Sequence, residues 1–337
     1  MRIDAALGAG ELEAVGALAR AAEAQGLDGI WFSETEADPF LAAALAVEHT
    51  TRVQIGTAVA LAFVRSPTSL AYLAWGLARL SGGRFILGLG SQVRAHVERR
   101  FGMAWERPVA RMRDVIKAIR AVWGAWRDGT PLRYEGPFYS LSLMTPFFTP
   151  PPPLVGDIPI YLAAVNPAMC RLAGEVADGL HVHPLHSERY VREIVLPAVD
   201  RGLRLAGRPR DALTVAASVI IVAESGSARD RVVAAARRTI AFYASTPSYR
   251  RILSLHGWER VGERLSRLAV TGRWEEMPGL VTDEMLETFA LVVDDGTIGT
   301  RLRGRAGGVI DRIVPYRGFR PEDPLWVALR GSSAMSQ

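Results

Sequence analysis

Short apolar runs that end in a polar or glycine-bearing turn, each followed by a longer stretch with apolar residues at helical spacing, recur along the first half of the chain. Ile3 to Leu7 is such a run, and Leu12 to Gln25 follows with helical periodicity and stops at Gly26. "DGIWFSE" then pairs with "PFLAAALAVEHT", whose Pro39 suits a first helical turn, and "RVQIGTAVAL" with "SPTSLAYLAWGLARLSGG", a helix framed by serine and glycine. "RFILGLG" is the fourth strand, and a long helix from Pro108 to Trp126 comes after it. Strands that alternate with helices in this way are parallel, with helical crossovers between them.

The rhythm breaks after Trp126. "RDGTPLRYEGPFYSLSLMTPFFTPPPPLVGDIP" is rich in proline and aromatics and too long for an ordinary connection, so it reads as an insertion with a hairpin of Leu132 to Tyr134 and Phe138 to Leu141. The four prolines 150–153 make a stiff connector. Alternation resumes with "IPIYLAAV", "PAMCRLAGEVA", "DGLHVHP", "ERYVREIVLPAVDRGLRLAG" and "LTVAASVIIVA". A second irregular region, Ser245 to Asp283, precedes the helix "GTIGTRLRGRAGG" and the last strand, "VIDRIVPY". Eight strands favour a closed (β/α)8 TIM barrel, an α/β fold, over an open doubly wound sheet. The expectation is one barrel domain over residues 1–330, insertions at about 129–157 and 245–283, and a tail at 331–337.

Composition adds exclusions. The chain has 337 residues, 49% of them hydrophobic and 22% charged, with no apolar run approaching a membrane span. The start, "MRIDAALGAG", carries Asp4 and no long apolar core, so a secretory signal is not expected. Cys170 is the sole cysteine, which fits a reducing compartment and, with the rest, a cytoplasmic location. The formal charge of +5 comes from basic residues scattered among carboxylates, a distribution that does not describe a nucleic-acid surface. Lys117 is the only lysine, so arginine carries the positive charge.

In a parallel barrel the working groups lie on loops leaving the carboxyl ends of the strands. Strand 4 ends in Gly88-Leu89-Gly90, followed by Ser91, Gln92, Arg94 and His96. Glycine there lets backbone N–H groups approach an anion or a ring, although a tight turn uses it equally well. Strand 5 ends in small residues, then Asn166 and Pro167, a helix start open to phosphate unless Asn166 is an ordinary N-cap. In "HVHPLH", His181 and His183 project to one side of their strand. Such a pair can bind a metal and keeps a metal-dependent hydrolase as an alternative. The first strand offers only Asp4 towards the rest of a ligand set, so no metal is expected, and a histidine bonded to ligand or backbone is favoured. Glu34 reads either as a site acid or as the partner of an arginine, and His96 as a site group or a helix cap.

Taken together, "GLDGIWFSETEADPFLAAALAVEHT", "IGTAVALAFVRSPTSLAY", "LSGGRFILGLGSQVRAHVERRFGMAW", "LMTPFF", "YLAAVNPAMCRLAGEVADGLHVHP" and "DRIVPY" resemble the bacterial luciferase-like superfamily. Within it they resemble the branch of oxidoreductases that use the deazaflavin coenzyme F420. The resemblance implies a TIM-type barrel with insertions, a homodimer, and a cis peptide bond at Ala58-Val59, after Thr57, beneath the deazaflavin ring. It implies that Gly88, Gly90, Ser91 and Gln92 lie beside the ring and ribityl chain. The backbone of Ala163, Ala164, Val165, Asn166 and Pro167 would receive the cofactor phosphate, Glu34 would stand at the acidic position after strand 2, and His96 and His183 would face the pocket.

Two departures matter. Thr35 stands where the sugar-phosphate and alcohol dehydrogenases of this branch carry a basic histidine, and Val93 where they carry a glutamate. Their reaction is therefore not transferred. The reading that follows is hydride transfer from reduced deazaflavin to a C=C or C=N bond of a small-molecule or natural-product substrate, with Glu34 or His96 as proton relay or orienter and His183 holding cofactor or substrate. An FMN-dependent monooxygenase on the same barrel is the nearest alternative, and a non-catalytic cofactor carrier a further one.

Overall fold

Eight parallel strands close on themselves in the computed structural model, which describes residues 1–8, 10–152, 156–223, 226–293 and 297–333. They are β1 (Arg2–Leu7), β2 (Gly29–Phe32), β3 (Gln54–Thr57), β4 (Phe85–Gly90), β5 (Ile160–Ala164), β6 (Gly179–Val182), β7 (Thr214–Val222) and β8 (Arg312–Pro315). Each pairs with the next, and β8 returns to β1 through Arg2 opposite Arg312 and Ile3 opposite Ile313. The architecture is the expected (β/α)8 barrel. Helices Leu12–Ala24, Pro39–Glu48, Pro67–Leu80, Pro108–Asp128 and Pro167–Val176 are the crossovers of its first half and of β5. Local chemistry sets their starts: Asp38 accepts from Phe40 N ahead of Pro39, and Ser66 accepts from Ser69 N ahead of Pro67.

Several elements differ from the sequence reading. The third apolar run is not one strand: Ala60–Leu61 forms a separate short strand on β4, and the cis bond Ala58-Val59 lies between the two pieces. The helix expected over 188–207 contains a π-helical turn, Val191–Val195, just ahead of Pro197, whose ring nitrogen cannot donate to the preceding turn. Helix Gly226–Ala244 and a short strand Ala290–Val292, parallel to Ile220–Val222 of β7, were not foreseen. A helix Pro324–Ser333 runs into the expected tail; residues 334–337 of that tail, like 153–155 of the first insertion, lie outside the described residues.

The insertions part company. The hairpin of the first is shorter than expected, Tyr134–Glu135 against Ser140–Leu141. It is organised by buried Asp114, which accepts from Tyr134 Oη (2.5 Å), Phe138 N (2.8 Å) and Tyr139 N (3.0 Å). Beyond it, Tyr72 Oη donates to Phe148 O at 2.5 Å and Trp75 Nε1 to Pro151 O at 2.8 Å, so this segment lies along the outer side of helix Pro67–Leu80. Phe147 is 89% exposed there. Phe147 and Phe148 therefore lie exposed on the outside of the barrel. The second insertion does sit at the mouth, tied to the β5 and β6 loops by Asn166 Nδ2 to Ser248 O (3.1 Å) and Ser187 Oγ with His256 Nε2 (2.8 Å).

Inside the barrel Trp31, Ile86, Tyr161, Ala216 and Val314 form a small cluster of their own, with Ala6 and Ala58 against it. His181 stands edge-on to Trp31, ring centres 4.7 Å apart, and 5.4 Å from Tyr161. Beneath them Asp4 accepts from Arg312 Nε (2.7 Å), Arg312 Nη2 (2.8 Å) and Trp31 Nε1 (2.8 Å), an ion pair without solvent exposure. Three donors on one carboxylate are what let a buried charge pair persist.

Candidate functional site

Inward residues of a (β/α)8 barrel stack in layers contributed by alternate strands. At the carboxyl end of the odd strands those residues are Ala6 (β1), Ala58 (just past β3), Ala163 (β5) and Ser218 (β7), and all four are half-buried while the strand residues beside them are mostly sealed. Small side chains there leave the lumen open to solvent. Below, Trp31, Ile86, Tyr161, His181 and Val314 are all at most 8% exposed and close the lumen. The mouth is thus a well with small walls and an aromatic floor. A cavity of about 510 Å³ at the opposite end, lined by Met1, Arg2, Thr214 and Arg312, lies on the face of such barrels that carries stability rather than chemistry.

On the β2–β4 side the wall is backbone held by side chains. Glu34 is buried; its N–H donates to Val59 O at 3.2 Å, and its Oε2 accepts from Leu61 N (2.8 Å) and Arg65 Nη1 (2.7 Å). Both ends of Glu34 thereby grip the segment that follows the cis bond. Arg65 also reaches Asp38 at 2.7 Å; against the opposing effect of burial, these two carboxylates raise the Arg65 pKa. Arg65 carried no spacing signal in the sequence. Thr57 Oγ1 donates to Gly88 O at 2.7 Å and accepts from Gly88 N at 2.9 Å, which commits its only proton to the neighbouring strand.

The two glycines of strand 4 have a packing cause. A Cβ at Gly88 would stand 1.7 Å from Thr57 O, and one at Gly90 would stand 2.4 Å from Val59 Cγ2. Close approach of β3 and its continuation requires glycine there, whatever lies in the well. Ser91 Oγ donates to Gln92 O at 3.1 Å, and Gln92 holds φ 60°, left-handed for a residue with a side chain, while its Oε1 accepts from Val93 N at 2.9 Å. Strained backbone of this kind concentrates at ligand sites. His96 follows on the short helix Arg94–Arg99, exposed at its surface.

On the β5–β8 side the wall is aromatic. Ala163 and Ala164 end β5, Tyr190 Oη donates to Val165 O at 3.1 Å, and Asn166 precedes Pro167 at the start of helix Pro167–Val176. Asn166 occupies the N-cap position without capping through its side chain, because its amide is turned to Ser248 O. The first N–H groups of a helix have no intrahelical partner, so this first turn lacks a side-chain cap and faces the insertion. His183 packs against Tyr243 and Tyr249, both with ring centres at 4.4 Å. Tyr243 Oη is hydrogen-bonded to Tyr316 Oη, which comes from the end of β8. Nothing in the sequence joined Tyr243, Tyr249 and Tyr316 to His183.

Electrostatics separates these groups. Leu185 N donates to His183 Nδ1 at 3.1 Å, which assigns the ring proton to Nε2. Burial, then the neighbouring His186, lowers the His183 pKa to about 3, so the ring is a neutral donor. Burial and the Tyr316 phenol push Tyr249 up to about 12, and the same causes raise Tyr243, leaving both as phenols. His181 is likewise neutral, lowered to about 3 by burial and by Arg312. Among the described residues no group of three or more His, Cys, Asp or Glu is arranged to hold a metal ion, and no helix is long and apolar enough to cross a membrane.

Comparison with known proteins places this geometry. A protein of Mycobacterium tuberculosis described as uncharacterised is 47% identical over 305 residues, 88% of this chain and 90% of its own. The 5,10-methylenetetrahydromethanopterin reductase of Archaeoglobus fulgidus is 29% identical over 318 residues, 92% of this chain and 91% of its own. Among solved structures, the coenzyme F420 dependent tetrahydromethanopterin reductase from Methanopyrus kandleri superposes with a TM-score of 0.80 at 22% identity, covering 98% of this chain and 97% of that one. The profile of the luciferase-like monooxygenase family matches residues 1–312, from β1 to the first residue of β8, and the chain belongs to that family.

Proposed function

We propose that this protein is an F420-dependent oxidoreductase that moves hydride between reduced deazaflavin and an organic substrate, reducing a C=C or C=N bond. The observation that carries the reading is the solvent-open well, with Ala6, Ala58, Ala163 and Ser218 around it and an aromatic floor beneath, set beside the cis bond Ala58-Val59. A planar ring fits a well walled by methyl and hydroxymethyl groups, and a larger side chain at any of the four positions would fill it. Relatives whose names state F420-dependent or methanopterin-reducing activity support the same chemistry.

When bound, the deazaflavin would supply hydride. This chain's own residues have three tasks. Glu34 and Arg65 hold residues 59–61 so that the cis segment keeps its shape, while Gly88, Gly90, Ser91 and Gln92 line the ring and ribityl chain. The backbone of residues 163–167, at the uncapped first turn, receives phosphate. His183 Nε2–H orients the substrate, the Tyr243 phenol delivers a proton and regains one through the hydroxyl of Tyr316, and exposed His96 exchanges protons with solvent. The substrate is a small molecule rather than a nucleic acid, and the active form is a homodimer of single-domain chains.

Titration of apoprotein with F420 and with FMN, side by side and followed by fluorescence, tests the reading. F420 is expected to bind at least about tenfold tighter than FMN. Tighter FMN binding with oxygen consumption on reduction would overturn it in favour of a monooxygenase.

A further inference from the structure

We infer that His181 is a binding residue for the cofactor's heterocycle, its Nε2 meeting an uncharged polar atom on the ring edge at the floor of the well. The inference rests on the F420 reading above. His181 Nε2 is buried and has no hydrogen-bond partner. Buried polar atoms are nearly always paired, and one that is not calls for an explanation. Of its neighbours on the floor, Trp31 Nε1 donates to Asp4, and neither Trp31 nor Tyr161 has a buried polar atom left without a partner.

The orphaned atom faces the right place. It lies 3.2 Å from where a Cβ of Gly88 would stand, and that same point is 1.7 Å from Thr57 O, the carbonyl immediately before the cis bond. Nε2 therefore looks across the lumen from β6 to the β3–β4 wall, beneath the half-buried layer of Ala6, Ala58, Ala163 and Ser218. Among the described floor residues, His181 carries the buried side-chain nitrogen that has no hydrogen-bond partner, so a ring that descends between those small residues and displaces the floor slightly has this atom to meet. Because the imidazole is uncharged, with Arg312 behind it, it suits the carbonyl or N–H of a neutral heterocycle rather than a phosphate or carboxylate.

Equilibrium binding of F420 to the full-length apoprotein, read by fluorescence, tests this with His181→Met, His181→Gln and His181→Asn. Gln sets a polar atom near the Nε2 position, Asn sets one near Nδ1, and Met removes both. Met and Asn are expected to weaken F420 binding about tenfold, and Gln to restore it to within about threefold of wild type, with thermal midpoints recorded for each. Equal affinity in all four proteins would overturn the inference and leave a water as the partner of Nε2. Should the Met variant fail to fold, the Gln and Asn pair decides, since equal binding by those two also overturns it. A wild-type protein that binds no F420 would overturn the cofactor reading and this inference together, an outcome distinct from the others.

Discussion

Thr57 and Gly88 show how tightly a single contact can fix the rim of the well. The Thr57 hydroxyl clasps both backbone polar groups of Gly88, and the carbonyl of Thr57 occupies the space a Cβ would need. Gly88→Ala must push two paired strands apart, and overpacking of this kind costs about 1–3 kcal/mol or more. Gly90→Ala meets the Val59 side chain, Cγ2 at 2.4 Å and Cβ at 3.3 Å, but none of its three nearest contacts is a backbone atom. Denaturant unfolding of the two variants is therefore expected to rank Gly88→Ala as the more damaging, and a wild-type midpoint for Gly88→Ala would contradict the packing. The glycines looked in the sequence like room for a ligand or a turn. Their immediate cause is the neighbouring strand, which no local pattern discloses.

β6 and the loop after it concentrate histidine: His181, His183 and His186 all lie there, and all are lowered to about 3, first by burial. His186 is 2% exposed, with Nδ1 donating to His183 O at 2.8 Å. A histidine that stays neutral when folded but titrates near 6.5 when unfolded stabilises the fold fully above that value. As pH falls from about 6.5 towards 3, the unfolded chain takes up a proton that the folded chain refuses, and each such histidine removes about 1.4 kcal/mol per pH unit. Stability is expected to drop between pH 7 and 4, and His186→Gln to lessen the slope by about one proton. Unfolding free energies measured at several pH values check this; an unchanged slope would show that His186 is protonated in the fold. The HxH spacing was visible in the sequence as a set of alternatives, and burial by Trp31, Tyr161 and the second insertion chooses among them.

At the scale of the molecule, two outer helices present an apolar face. Leu41 and Leu45 of helix Pro39–Glu48, and Leu73 and Leu80 of helix Pro67–Leu80, are exposed at spacings that put each pair on one side. Exposed apolar stripes on neighbouring helices mark contact surfaces, and a second copy of the chain is the partner proposed here. Light scattering is expected to give the mass of two chains for the wild type and of one for Leu41→Glu with Leu73→Glu, with circular dichroism unchanged. A monomeric wild type would contradict the homodimer.

The alternation of apolar runs and helical stretches was enough to establish the barrel and its eight strands, because side-chain period and crossover geometry are properties of consecutive residues. Small residues at the ends of β1, β5 and β7 and at the break after β3 were equally present in the sequence, though their role needed the closed lumen. Only the tertiary structure decided that the first insertion lies outside while the second covers the mouth, and that His183, Tyr243, Tyr249 and Tyr316 converge. Those partners come from three separate parts of the chain, and their burial, which sets who is charged and who is left unpaired, exists only once the strands have closed.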